Sequence, residues 1–113
     1  NMITRAELER MKSNAIILNT SRGGIINEED LYTVMSAGHL SGAAIDVFNN
    51  EPYDGNLKNI ERCLLTAHMG SMSEDCRTRM EIEATEEAIR FASDKELMSI
   101  VPNEEYEVQQ QGL

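Results

Sequence analysis

The chain has no tryptophan, only two cysteines among its 113 residues, and half as many basic residues as acidic ones. Each scarcity excludes something. Cys63 and Cys76 stand in no CxxC pair and in no Cys/His cluster with metal-ligand spacing, so neither a disulfide framework nor a zinc site is written here. Both read as reduced thiols, which points to a cytoplasmic setting. Lys and Arg number 10 against 20 for Asp and Glu, a formal net charge of -10. That balance excludes nucleic-acid binding through a basic surface and an anionic membrane surface as partner. No apolar run approaches the ~20 residues of a membrane helix, and no signal-peptide pattern opens the chain. The length fits one domain, able to bury roughly two-thirds of its unfolded surface.

What is present centres on Ala15-Ile16-Ile17-Leu18-Asn19-Thr20-Ser21-Arg22-Gly23-Gly24. It begins as the continuous apolar run of a strand buried on both faces. It ends in a polar turn with one arginine and two glycines. A guanidinium beside such a turn is placed to grip a carboxylate through two hydrogen bonds.

Around this stretch the pattern alternates. Asn1 to Lys12 reads as a short helix, with Thr4 and Glu7 at capping-box spacing and Ile3 and Leu8 as a hydrophobic staple. Asn27 is an N-cap, followed by Glu28, Glu29 and Asp30 where negative charge suits the helix dipole. That helix carries Leu31, Val34 and Met35 on one face and stops at Gly38. Gly42 to Phe48 reads as a second buried strand, and Cys63 to Thr66 as a third. Ser71 and Glu74 again show capping-box spacing. From there a long amphipathic helix runs to about Ser93, with Cys76, Met80, Ala84 and Ala88 recurring every fourth residue. Leu97 to Val101 reads as a short extended piece. Residues 103–113 are acidic, then glutamine-rich, and are expected to be a disordered tail. The class is α/β: a parallel sheet of at least three strands with helices against it, in three layers.

Each strand ends at a reactive group: Arg22 after the first, Asp46 and Glu51 after the second, His68 after the third. In an open parallel sheet the ligand crevice lies at the carboxyl ends of the strands. Taken singly, each residue has a plain structural reading. Arg22 can cap a loop, Asp46 can bond backbone amides, Glu51 can be a solvated loop carboxylate and His68 a satisfied turn histidine. His39, just past Gly38, reads as a cap on a helix end. The coincidence at equivalent strand ends favours an acid/base constellation with an anion clamp.

Three motifs in order carry a resemblance: Asn19-Thr20-Ser21-Arg22-Gly23-Gly24 before an acidic helix start; Gly42-Ala43-Ala44-Ile45-Asp46-Val47-Phe48 with Glu51-Pro52; and Thr66-Ala67-His68-Met69-Gly70. Together they resemble the D-isomer-specific 2-hydroxyacid dehydrogenases, from about Thr4 to about Ile100. Ala67 stands where that family usually has proline. The resemblance implies the second half of a Rossmann-type parallel sheet with flanking helices and a long C-terminal helix. It implies a partial NAD-binding domain over residues 1–102. It makes Arg22 the substrate-carboxylate ligand, His68 the proton donor and Glu51 its carboxylate partner. Asp46 would contact the nicotinamide carboxamide. Thr20, Ser21 and Arg22, with the turn His68, Met69, Gly70 and Ser71, would line the nicotinamide end of the cofactor.

The residue chemistry agrees with those roles. Reducing a 2-keto acid needs a hydride on carbon and a proton on oxygen. Histidine titrates near neutral pH, a neighbouring carboxylate favours and orients its protonated form, and arginine holds a permanent charge for the substrate carboxylate. The chain contains no G-x-G-x-x-G, the turn that holds a dinucleotide pyrophosphate. The expectation is therefore a fragment of an oxidoreductase acting with NAD on a small 2-keto or 2-hydroxy acid. Alone it should be inactive and should self-associate through an exposed sheet edge. The competing reading is a non-catalytic nucleotide-sensing or interaction module, similar to the family's corepressors or a stand-alone remnant.

Overall fold

A computed structural model describes residues 1–103; the tail expected beyond them lies outside the described residues. The chain divides into two units, Asn1–Ser73 and Glu74–Leu113.

In the first unit, α1 (Arg5–Arg10) begins after Thr4, whose backbone N–H and hydroxyl both donate to Glu7 Oε2, at 2.8 and 2.6 Å. The expected capping box therefore forms. The helix does not reach back to Asn1, because the chain before it is engaged elsewhere. Met2 and Ile3 donate to the Ile25 carbonyl, and Asn27 donates to the Ile3 carbonyl, all at 2.9 Å. Ile3 and Ile26 thus form an isolated parallel bridge. Strand β1 (Ile16–Asn19) leads through the arginine turn to α2 (Glu28–Ser36). Asn27 caps α2 by accepting the Asp30 N–H at 3.0 Å. The helix ends at Ala37, before Gly38 in a left-handed conformation. His39 faces a helix end, as expected, but that of α1: its Nε2 lies 3.0 Å from the Met11 carbonyl.

Strands β2 (Gly42–Ile45) and β3 (Cys63–Leu65) complete a parallel sheet of order β1-β2-β3. The second strand stops three residues short of the expected Phe48. Asp46, Val47 and Phe48 lie beyond the strand while remaining buried. One sheet face, with Ile17, Ala43 and Ile45, joins Leu8, Leu31, Val34 and Met35 in a single core. Burying such aliphatic side chains contributes roughly 1.5–3 kcal/mol each. On the other face Ile16, Leu18 and Leu64 are 62%, 66% and 64% exposed. The expectation of a strand buried on both faces is therefore wrong for β1 in this unit, whose helices cover one face only. Within this unit the layers number two. Neither cysteine forms a disulfide, and burial pushes the Cys63 thiol upward, away from the reactive thiolate.

The second unit is built on α3 (Glu74–Ala92). It starts later than Ser71, because Met69–Ser71 is spent on a 3-10 turn. The expected extended piece at 97–101 is not a strand. Met98 and Ser99 instead donate their N–H groups to the Glu87 carboxylate, at 2.9 and 3.2 Å. Among the described residues no helix is long and apolar enough to cross a membrane.

Candidate active site

All three strand ends in the first unit open the same way, because the sheet is parallel. The first end is organised by Asn19, only 6% exposed. Its Nδ2 donates to the Arg22 carbonyl at 3.0 Å, and its Oδ1 accepts the Ser21 N–H at 3.2 Å. This residue closes the apolar run, and its lone polarity there was the signal that it had a task. Thr20, Ser21 and Arg22 are exposed on the resulting turn. Gly23 then passes so close to the exit of β2 that a Cβ on it would lie 2.1 Å from the Phe48 carbonyl oxygen. Only hydrogen fits there.

The second end carries Asp46 and Glu51. Glu51 Oε1 accepts the Phe48 N–H at 3.0 Å, and Oε2 lies 3.0 Å from His68 Nδ1. The Phe48 amide, then the His68 contact, hold the Glu51 carboxyl below the usual carboxylate range. Asn49 beside it is tied to α2, its N–H donating to Glu28 Oε1 at 2.7 Å. Phe48 stacks on Tyr53 with ring centroids 4.2 Å apart. Asp46 is buried; it accepts the Thr66 hydroxyl on Oδ1, and the Met69 N–H at 2.9 Å from Oδ1 and 3.1 Å from Oδ2. The Thr66 hydroxyl, followed by the Met69 amide, lowers its carboxyl too.

The third end carries His68, with backbone φ 54° and ψ 55°, in the left-handed region. Non-glycine residues pay about 1–2 kcal/mol to stand there, and such residues collect at functional sites. The 3-10 turn Met69–Ser71 follows directly, and a Cβ on Gly70 would meet nothing within 4 Å.

Glu51 and His68 share a cavity of about 570 Å³, lined also by Phe48, Tyr53, Lys58 and Thr66. Arg22 does not line it; its Nη1 instead donates to the Ser21 carbonyl at 2.6 Å. The structure thus brings the histidine and glutamate together and leaves the arginine outside their cavity. Among the described residues no group of three or more His, Cys, Asp and Glu side chains could hold a metal ion. With Nδ1 engaged by Glu51, His68 has Nε2 left to serve a reacting atom.

In an open parallel α/β sheet, ligands bind in the crevice at the carboxyl ends of the strands, where Glu51 and His68 stand. The family model for the D-isomer specific 2-hydroxyacid dehydrogenase NAD binding domain matches residues 1–70. The chain belongs to that family. A glyoxylate reductase of Korarchaeum cryptofilum is 39% identical over 93 residues, which are 80% of this chain and 28% of the relative. A D-3-phosphoglycerate dehydrogenase of Synechocystis is 38% identical over 88 residues, 77% of this chain and 16% of the relative. The crystal structure of a glyoxylate reductase from Paecilomyes thermophila superposes with a TM-score of 0.84 at 31% identity. It covers 91% of this chain and 32% of its own. The chain therefore spans a third or less of the length of these relatives.

Proposed function

We propose that this chain is the catalytic second half of the nucleotide domain of a D-2-hydroxyacid dehydrogenase, with His68 as proton donor, Glu51 as its orienting partner and Arg22 as the substrate-carboxylate ligand. The observation that carries the reading is the 3.0 Å contact of His68 Nδ1 with a Glu51 carboxylate fixed on its other oxygen by the Phe48 N–H. The two curated relatives named above reduce glyoxylate or oxidise 3-phosphoglycerate by name, so the substrate class is a small 2-keto or 2-hydroxy acid.

The residues present fit one end of NAD. The exposed hydroxyls of Thr20 and Ser21, the Arg22 guanidinium and the open side of Gly70 offer polar groups and room for the nicotinamide end. Met69 and Ser71 flank Gly70 on the same turn. No glycine-rich turn for the pyrophosphate is present in the chain. The bound cofactor in its reduced form, NADH, would supply the hydride to the keto carbon and leave as NAD+. This chain's own part is electrostatic and protic. Arg22 holds the substrate carboxylate. His68 Nε2 gives its proton to the carbonyl oxygen as the alkoxide develops. Glu51 holds the ring in place through Nδ1.

One observation favours the second reading, a non-catalytic nucleotide-sensing module. The Arg22 guanidinium is turned onto its own neighbour's carbonyl and not into the cavity of His68.

The test is a chimera in which residues 1–103 replace the matching segment of the Korarchaeum glyoxylate reductase. NADH oxidation with glyoxylate, hydroxypyruvate or pyruvate is expected, and His68→Ala should lower it about 10²–10⁴-fold. Unchanged turnover in His68→Ala would remove the proton-donor role. The isolated chain should show no turnover, because lost orientation alone costs ~7–11 kcal/mol of barrier lowering. Strands β1 and β3 each pair on one side only among the described residues. Such open edges invite a second copy, which sedimentation of the isolated chain would reveal as a dimer.

A further inference from the structure

The geometry points to Asp46 as the residue that positions His68: by gripping the chain on both sides of the histidine, it holds that backbone left-handed and its ring on Glu51. The inference rests on the proposed role of His68 but concerns a different residue and a different task.

Asp46 and Asn19 are the buried polar side chains of the described residues, 8% and 6% exposed. Burying a carboxylate is costly unless its oxygens are satisfied. Here they are satisfied by the segment that carries the histidine. The Thr66 hydroxyl donates to Asp46 Oδ1 from two residues before His68. The Met69 N–H donates to both oxygens from one residue after it. His68 itself donates its N–H to the Asp46 carbonyl at 2.9 Å. Asp46 is in turn fixed to the first strand end, its N–H donating to the Asn19 carbonyl at 2.9 Å. Three donors from the third strand end therefore converge on Asp46, whose own N–H ties it to the first.

This convergence explains a backbone that would otherwise relax. A left-handed histidine persists only where its surroundings over-determine it. Clamping residues 66, 68 and 69 to one anchor does so, and hydrogen bonds to an ionised carboxylate are about twice as strong as neutral ones. Glu51 acts on the ring of His68, and Asp46 acts on its main chain. Asp46 is thus a positioning residue.

The chain contains two histidines, so ¹⁵N-histidine labelling reads His68 directly, with His39 as the internal reference. In ¹H–¹⁵N spectra of the full chain, Asp46→Ala is expected to move the His68 ring signals to the position they take in Glu51→Gln, where the carboxylate contact is gone. Asp46→Asn, which keeps the volume, should move them part of the way, and Thr66→Val less. Asn19→Ala removes the other buried polar side chain and should leave them in place. If Asp46→Ala does not fold, Asp46→Asn and Thr66→Val decide the matter. Wild-type His68 signals in a folded Asp46→Asn chain would overturn the proposal. So would equal movement in Asn19→Ala, which would reduce Asp46 to general stability. Loss of NADH-induced shifts in Asp46→Asn with His68 unmoved would assign Asp46 to the cofactor and also overturn it. These readings involve no turnover, so they stand or fall separately from the chimera assay.

Discussion

Glu51 reaches two elements at once: its Oε1 takes the Phe48 N–H and its Oε2 meets His68 Nδ1, each at 3.0 Å. The first bond aims the second. In the chimera, Glu51→Gln should lower turnover, by less than the His68→Ala loss, because the ring remains but loses the carboxylate that orients it. A kcat equal to wild type, with KM also unchanged, would show that the contact has no catalytic consequence.

Acid should weaken this unit through the same carboxylates. Hydrogen bonds hold Glu51 and Asp46 below their ordinary values of 4.5 and 3.8. A carboxyl lowered on folding stabilises above its unfolded pKa and loses that contribution as pH falls through its folded pKa. Urea midpoints should therefore fall below about pH 4.5, and the fall should be shallower in Glu51→Gln. Equal slopes would mean that the carboxylate titrates alike folded and unfolded.

The left-handed backbone of His68 makes a prediction that side-chain contacts do not. Valine is a poor tenant at φ 54°, whereas glycine adopts it freely. His68→Val should unfold at lower urea than His68→Gly, by about 1 kcal/mol or more. The reverse order would mean that the backbone there is not left-handed in solution.

Gly23 sets a tighter limit. Gly23→Ala would place a Cβ 2.1 Å from the Phe48 carbonyl oxygen. Backbone must shift to admit it, and such overpacking typically costs about 1–3 kcal/mol. A chemical-denaturation curve matching wild type would show that the two turns can separate without loss.

Much of this molecule was legible because its signals are local. Asn27 with Asp30, Thr4 with Glu7, and Gly38 after its helix act over three or four residues, and each does what its spacing implied. The meeting of Glu51 with His68 was expected from the parallel strand ends together with the resemblance of the motifs that carry them. What escaped was non-local or a matter of rotamer. Nothing near Ile3 announces that Ile26 will hold it in a bridge. The Ser71 and Glu74 spacing imitates a capping box, but the 3-10 turn takes Ser71 first. An unbroken apolar run such as Ile16-Ile17-Leu18 does not say which face will be covered. The side-chain hydrogen bonds of Asp46 depend on Thr66 and Met69, 20 and 23 residues away. The direction of Arg22 is a side-chain choice that no spacing encodes.

The parallel register also has a kinetic consequence. Ile16 meets Gly42, and Ala43 meets Cys63, so every strand pair closes across an intervening helix or long loop. No hairpin is available to nucleate the sheet. Loop-closure entropy must be met before any strand contact is rewarded. Short-range elements such as capped α2 form early, on the microsecond scale of helices, and the sheet assembles afterwards. Until it does, Ile16-Ile17-Leu18 is an unpaired β-prone segment. The yield of refolded chain should therefore depend on protein concentration, falling as neighbouring chains compete for that strand before β2 arrives.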